Sequence, residues 1–322
     1  MKMKVLFLVI SVILVSNAAV WGQVNPLSVH IEKAINHIMD DQYDLAIKEL
    51  SEAINIEPGF ELIYLFRGEA YRAMGQYDLG LRDLNEAIKL NSSFVSAYIS
   101  RGDTFRMMNQ FDAAIRDLNT AIRLHPNDYL AYGVRGSIYH DHSQYDLALR
   151  DFNESIRLDP ENAQVYSVRG SVHWRQGRYD LALIDLNHAA RANPDDSYAF
   201  LNRGIVYLRT NQLELAVRDL NEVIRINSDR IKSNRSAAWN YSNRGEAYRL
   251  LEQFDNAIED FNESLIQRSD DGSSWTYGRR GLAYMAIGQR ELAISDFQMA
   301  LSMNPTLDWV ITALEEIRGS LQ

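Results

Sequence analysis

The residues of this chain that could do chemistry are histidines, two of which flank an acid as His140-Asp141-His142, and arginines that return at a fixed interval. Two imidazoles beside a carboxylate are metal-ligand types, but residues two apart on a helix point to different faces, so His140 and His142 do not share an ion. Rows of arginine can bind anions. Here the arginine stands in Arg-Gly at Arg67, Arg101, Arg135, Arg169 and Arg203, each 34 residues after the last, then at Arg244 and Arg280. Sixteen residues beyond each lies an acid: Asp83, Asp117, Asp151, Asp185, Asp219, Asp260 and Asp296. In an antiparallel helical hairpin these positions face each other, so each arginine reads as half of an internal ion pair, and the first copy keeps the pattern as Lys33 with Glu49. Paired carboxylates abound, yet they recur with the period, and a catalytic site has no reason to be built eight times. No phosphate-cradling glycine loop is present. The chain therefore reads as a non-enzyme that needs no cofactor and no metal.

A period of 34 residues announces a solenoid. Its unit is best seen from Tyr132 to Pro160. Tyr132, Gly136 and Tyr139 fall on one face of a first helix, and Ala148, Phe152 and Ser155 on one face of a second. The turn between them lies around Ser143-Gln144, where other copies carry Gly75, Gly177 and Gly288. Gly136 and Ala148 are small where the helices must approach, and Pro160 ends the unit.

This pattern resembles the tetratricopeptide repeat. The family's aromatic, Gly, Tyr, Ala, Phe, Ala, Pro signature is matched in one copy by Tyr98, Gly102, Phe105, Ala114, Leu118, Ala121 and Pro126, and eight copies run from Ser28 to Pro305. Departures are few: Lys33-Ala34 for Arg-Gly, Gly80 at a slot that is usually Ala, and Val223 at a small slot. The resemblance implies an all-α fold, a right-handed α-solenoid of about eight helix-turn-helix repeats over residues 27–306. It also implies a concave groove, lined by the first helices, that takes a protein or peptide. Residues 307–322 read as a capping helix with Trp309, Ala313, Ile317 and Leu321 on one stripe, because the last hairpin would otherwise expose its apolar end.

Composition agrees: 46% hydrophobic and 24% charged residues supply a continuous helical core. The absence of cysteine excludes disulfides, zinc fingers and thiol nucleophiles. Lys2 and Lys4 lead into an apolar run from Val5 to Val15, followed by small residues at Ser16, Ala18, Ala19 and Gly22, which has the form of a secretory signal over residues 1–22. The run is shorter than the roughly 20 residues that span a bilayer, which favours cleavage after Ala18 or Gly22 over an uncleaved anchor. Either way the repeats are expected outside the cytoplasm, secreted or periplasmic, and without stable membrane insertion once cleaved. Removing residues 1–22 deepens the net charge from −10 to −12, which argues against nucleic acid as a partner.

Two intervals are longer than the period. A seven-residue insertion, Asp229 to Arg235, reads as a surface loop, and two more residues are inserted near Asp270-Asp271-Gly272; tryptophans follow at Trp239 and Trp275. Asn91, Asn153, Asn234, Asn240 and Asn262 match the glycosylation sequon, though Asn153 and Asn262 occupy a slot where Asn recurs with the repeat.

Within the groove, Glu69 and Arg72, Asp103 and Arg106, and Glu246 and Arg249 are spaced to neutralise each other along a helix. Arg175 and Arg209 have no such neighbour and lie on adjacent copies, beside Trp174 and near Tyr198, with His140 on the same face one copy earlier. Trp, Tyr and Arg together are the composition of an interface hot spot. Trp174 either faces the groove or folds over the slot where His173 replaces the usual Tyr. The reading is an exported scaffold that binds an acidic protein segment or C-terminal carboxylate at Trp174, Arg175, Tyr198, Arg209 and His140. The rival classes are an enzymatic or carbohydrate-binding envelope protein, which needs a clustered site, and a structural spacer, which has no saturable partner.

Overall fold

A computed structural model describes residues 26–232, 237–267 and 273–319. Its seventeen helices come in hairpins, with no strand among the described residues. They are α1 (Pro26–Met39) with α2 (Tyr43–Ile56), α3 (Glu61–Ala73) with α4 (Tyr77–Leu90), α5 (Val95–Met107) with α6 (Phe111–Leu124), and α7 (Tyr129–Asp141) with α8 (Tyr145–Leu158). There follow α9 (Ala163–Arg175) with α10 (Tyr179–Ala192), α11 (Ser197–Arg209) with α12 (Leu213–Lys232), α13 (Ala237–Leu250) with α14 (Phe254–Gln267), α15 (Ser274–Ala286) with α16 (Arg290–Met303), and a single α17 (Asp308–Gly319). The chain divides into two compact units, one up to residue 105 with 119–125, the other of 106–118 with 126 onward. The fold is an all-α repeat solenoid.

The turn within each hairpin is set by one residue in the left-handed region. In the fourth copy Ser143 has φ 57°. This lets the Gln144 N–H reach back to the Tyr139 carbonyl at 2.8 Å, which satisfies an otherwise orphaned carbonyl at the helix end. Gly75, Gly177 and Gly288 adopt the same conformation without steric cost, and Asp41, Asn109, Asn211 and Glu252 also hold it. The close approach of the two helices is visible at Gly245, where an added Cβ would lie 3.2 Å from the Ala257 carbonyl oxygen and 2.9 Å from the Phe261 ring. In the fourth copy the Phe152 ring, at 2.7 Å, is what a Cβ on Gly136 would strike first.

The arginine of Arg-Gly cross-links the stack. Arg135 Nε and Nη2 donate to the two carboxylate oxygens of Asp151 at 2.7 and 2.8 Å. The same two-pronged pair forms at Arg67–Asp83, Arg169–Asp185, Arg203–Asp219, Arg244–Asp260 and Arg280–Asp296. The remaining Nη1 reaches back to the preceding copy. Arg101 donates to Asn85, Arg169 to Asn153, Arg203 to Asn187 and Arg280 to Asn262, at 2.6 to 2.8 Å. An aromatic ring one turn earlier covers the guanidinium, as Tyr132, Tyr166 and Phe200 do at 5.1 to 5.6 Å. This explains the recurring asparagine, and so the sequon matches at Asn153 and Asn262. The first copy departs from expectation: Glu49 faces His30 Nδ1 at 2.7 Å, while Lys33 is exposed. His30 lies one turn before Lys33 on the same helix, and its shorter, stiffer side chain reaches Glu49 without ordering a long flexible stem.

The insertion after the sixth copy is a helix where a loop was expected. Asn227 to Lys232 extend α12 to 20 residues, beyond the 14 of the other second helices; Ser233 to Arg235 lie outside the described residues, as does the insertion at Asp270 to Gly272. Past Ile226, where the other second helices would end, Asn227 is buried, and Arg230 Nη2 donates to the Asp195 carbonyl at 2.5 Å. The ladder then resumes two turns on. Arg244 Nη1 takes Ser228 Oγ at 3.1 Å, whereas Asn221 holds the equivalent slot by sequence. The seventh copy is thus seated about 10 Å further along its neighbour than the others.

At the end of the chain Val310, Ala313, Leu314 and Ile317 of α17 bury against Ala293, Phe297 and Ala300 of α16. Trp309 is partly buried in the same cluster, against Trp275 at 5.6 Å between ring centroids. Leu321 lies outside the described residues.

In the ladder, Asp219 is 3% exposed, and its hydrogen bonds raise the Arg203 guanidinium further above its usual range. Asp219→Ala strands that guanidinium and is expected to cost about 3–5 kcal/mol in denaturant unfolding, while Arg203→Met with Asp219→Leu regains most of the loss. A cost below about 1 kcal/mol for Asp219→Ala would put the pair in the class of surface ion pairs.

Candidate functional site

In the second unit the ends of α9 and α15 meet across one hundred residues of sequence. The Arg175 Cζ lies 4.8 Å from the Trp174 ring centre and 5.2 Å from that of Trp275. A guanidinium within reach of two indoles makes two cation–π contacts, each worth about 0.5–2 kcal/mol. Its Nε is buried and has no hydrogen-bond partner. Trp174 is itself fixed: Nε1 donates to Asn202 Oδ1 at 2.8 Å, Asn202 Nδ2 donates to the Tyr198 carbonyl at 2.8 Å, and the ring packs against Ala182, Leu186 and Val206. Trp174 is thus half-buried against the core of its own stack, and its ring also carries Arg175.

Charge gathers one turn past Trp275. Arg279 Nε lies 3.9 Å from Glu246 Oε2, and Arg249 Nε and Nη2 donate to the two oxygens of Glu246 at 2.8 and 2.9 Å. Burial works against the Glu246 charge, and Arg249 with Arg279 outweigh it, so the carboxyl is held below its usual range. Burial pushes the Arg279 guanidinium down; Glu246 opposes this, and the charges of Arg249 and Arg175 add to it. Tyr198 is close enough to Arg279 for its hydroxyl to act on that charge. Arg249 and Arg279 therefore face the one carboxylate of Glu246, and the charge of Arg175 acts on Arg279 from beside Trp174 and Trp275.

The structure brings Trp174, Arg175 and Tyr198 to this place and leaves two expected members elsewhere. Arg209 is exposed at the end of α11 and makes no ion pair among the described residues; the guanidinium that accompanies Arg175 is Arg279. His140 is held inside its own stack. The self-neutralising pairs also need correction. Glu246 and Arg249 do pair along α13, but Arg72 Nη1 reaches Asp103 in the next copy at 3.1 Å, Glu69 takes the Ser100 hydroxyl, and Arg106 Nη1 reaches Asp141 at 3.1 Å. Long arginine stems reach the adjacent first helix as readily as the next turn of their own. Arg279 and Trp275 escaped sequence reasoning as site residues, although both leave a trace. The slot before Arg-Gly holds Phe66, Ser100, Val134, Val168, Asn202 and Asn243, so a charge at Arg279 breaks the pattern. The slot two before the repeat aromatic is Leu62, Ser96, Leu130 and Gln164 in earlier copies and Tyr198, Trp239 and Trp275 in the last three.

His140 stands in a relay. Its Nδ1 lies 3.2 Å from Asp141 Oδ1 and its Nε2 3.1 Å from Ser171 Oγ. The order of groups is that of a hydrolytic triad, yet the surroundings are wrong for one. Ser171 is fully buried on a continuous helix, and its hydroxyl donates to the Val168 carbonyl at 2.8 Å. Backbone amides there serve the helix itself, which leaves no donor pair to receive an oxyanion. The relay ties α7 to α9. Among the described residues no group of three or more acidic or histidine side chains could hold a metal ion, and no helix is long and apolar enough to cross a membrane.

Paired antiparallel helices with a recurring small-residue contact, a left-handed turn residue and a cross-copy arginine define a helical-hairpin repeat protein. Family models described as tetratricopeptide repeat match residues 99–163, 135–197 and 167–231, and residues 62–94, 240–265 and 276–307. The chain belongs to the tetratricopeptide repeat family, a non-catalytic scaffold family whose members bind protein or peptide partners. It is a protein–protein interaction scaffold in that general sense. No curated protein sequence matches it significantly. Among solved structures it is similar to a chain of the APC/C hetero-tetramer Cut9–Hcn1, at 17% identity and TM-score 0.64 over 90% of this chain; the match spans 55% of that one. It is also similar to a tetratricopeptide repeat protein from Parabacteroides merdae ATCC 43184, at 18% identity and TM-score 0.50, covering 91% of this chain and 99% of that one. At these identities the likeness is one of fold.

Because the Glu246 carboxyl is held below its ordinary value of 4.5, its contribution to stability is full above that value and is lost as pH falls through the lower folded one. Glu246→Gln is expected to cost about 3 kcal/mol at pH 7, and the gap to the wild type should narrow from pH about 5 toward 3 in thermal unfolding. A gap that does not change with pH would mean that Glu246 is not the ionised partner.

Proposed function

We propose that this chain is an exported scaffold that holds an acidic segment of a partner protein against the inner face of its last four copies. The observation that carries this reading is the excess of guanidinium over carboxylate at Arg175, Arg249 and Arg279, set among indole and phenol rings. On the earlier first helices charges are matched: Arg72 has Asp103, and Arg106 has Asp141. A half-buried positive excess repels a neutral or basic segment, because desolvation leaves its cost uncompensated, and it favours carboxylates. Trp174, Trp275 and Tyr198 supply rigid apolar area around the charged centre, as interface hot spots do. Arg209, exposed nearby in sequence, adds charge at the edge and acts on the encounter rate more than on the final affinity.

Once a partner is isolated by affinity capture, Arg175→Glu should weaken the complex at least a hundredfold, Arg209→Glu by less, and Arg72→Glu by under threefold in equilibrium titration. Equal losses at Arg72 and Arg175 would remove the second unit as the principal contact. Export rests on the apolar run from Val5 to Val15 and the small residues after it. Expression in a secreting host should give a mature N-terminus at Ala19 or Gln23; an intact Met1 in the membrane fraction would establish an anchor instead.

A further inference from the structure

The charges at the inner face of the second unit narrow the chemistry of what binds there. Glu246 is fully used by Arg249, whose fork takes both of its oxygens at 2.8 and 2.9 Å. Arg279, at 3.9 Å from one of those oxygens, is beyond hydrogen-bonding distance of Glu246, and Arg175 has no acceptor for its Nε. Two guanidinium forks with unspent donors thus lie near enough for one to act on the charge of the other, and Trp275, one turn before Arg279, lies against Arg175. The side chains of Arg249, Arg279 and Glu246 are 20, 17 and 8% exposed, so water and salt screen them incompletely.

Set together, three cations and one anion leave two positive charges. A carboxylate cancels one of these and has two oxygens, which satisfy one fork. A phosphate monoester carries about −1.5 to −2 at neutral pH and offers three oxygens besides the ester, enough for a fork on either side. We propose that Arg175 and Arg279 form a seat for a phosphate monoester carried on a side chain of the partner segment, with Arg249 and Glu246 holding the seat in shape. The inference rests on the partner reading above and adds the class of group recognised. Trp174 and Trp275 both hold Arg175 by cation–π contact, so its fork is positioned before the ligand arrives, and little side-chain entropy is lost on binding.

Trp174 and Trp275 also make the test direct, since both contact the seat. The full mature chain is titrated, with tryptophan fluorescence and calorimetry as readouts, against N-acetyl phosphoserine amide, N-acetyl aspartate amide and inorganic phosphate. The phosphoserine compound should bind at least tenfold more tightly than the aspartate compound, and more tightly than inorganic phosphate. Arg279→Met and Arg175→Met should each reduce that binding at least tenfold, with Arg209→Met within twofold of wild type. Arg279→Lys, which keeps the charge and removes the fork, guards against a folding defect and should lose part of the affinity at unchanged unfolding temperature. Equal affinity for the aspartate and phosphoserine compounds, tighter binding of inorganic phosphate than of the ester, or no loss in Arg279→Met would overturn the seat. An acidic partner that still depends on Arg175 under that result would leave the scaffold reading standing.

Discussion

A guanidinium placed between two packed helices has to find acceptors for its five N–H groups, and the way this chain meets that demand governs how its copies stack. In Arg169 the Nε and one Nη close on Asp185 of the same hairpin, the other Nη closes on Asn153 of the hairpin before, and Tyr166 lies over the flat face. One side chain thus fixes the crossing of two helices and the seating of one copy on the next. Hydrophobic contacts between Ala, Leu and Phe are non-directional and tolerate sliding; a two-pronged pair with a third bond behind it does not. The ladder contributes more to register than to stability, because ion pairs of this kind roughly break even against a well-packed apolar pair.

The same constraint explains how the seventh copy can sit differently without disrupting its neighbours. The lengthened α12 carries its inward stripe on, with Asn227 buried, and presents to Arg244 Ser228, seven residues or about two turns past Asn221. Arg230, at the end of the added turns, spans back to the Asp195 carbonyl and steadies the extension. An insertion of five residues, about 140° past a whole turn, would have rotated the stripe and broken the ladder. In a chain where the seventh and eighth copies are seated this way, Trp275 and Arg279 come to Arg175 and Glu246.

The site itself is built from departures. Where the repeat is regular, first-helix charges cross to the next copy and are matched, as in Arg72 with Asp103. Arg279 stands in a slot that is apolar or neutral in every other Arg-Gly copy, and Trp275 in one that is aliphatic or polar in the early copies. Locally consistent sequences are expected to break their own pattern where function requires it, at some cost in packing or desolvation. The relay of Asp141, His140 and Ser171 shows the opposite case, an arrangement in the order of a catalytic triad whose serine is buried on a helix and which joins two helices.

The sequence by itself determined the hairpin, its period, its turn residue, its small contact slots and the partner of each Arg-Gly arginine within the copy. All of these follow from spacing along one or two helices, which 3.6 residues per turn converts directly into faces. It also marked Trp174, Arg175 and Tyr198 as a place to look, because Trp, Tyr and Arg stood there without a compensating acid at helical spacing. It read Lys33 as the partner of Glu49, the insertion as a loop and Arg209 as the companion of Arg175, and each of these depends on reach in three dimensions. Whether Glu49 meets Lys33 or His30 depends on side-chain length and exposure. Whether inserted residues loop out or extend a helix depends on whether a neighbouring helix offers a surface to bury Asn227 and an acceptor for Arg230. Only the tertiary structure could place Arg279 and Trp275 against Arg175, because that contact joins residues a hundred positions apart, and their separation is the sum of the small rotations by which each copy stacks on the one before.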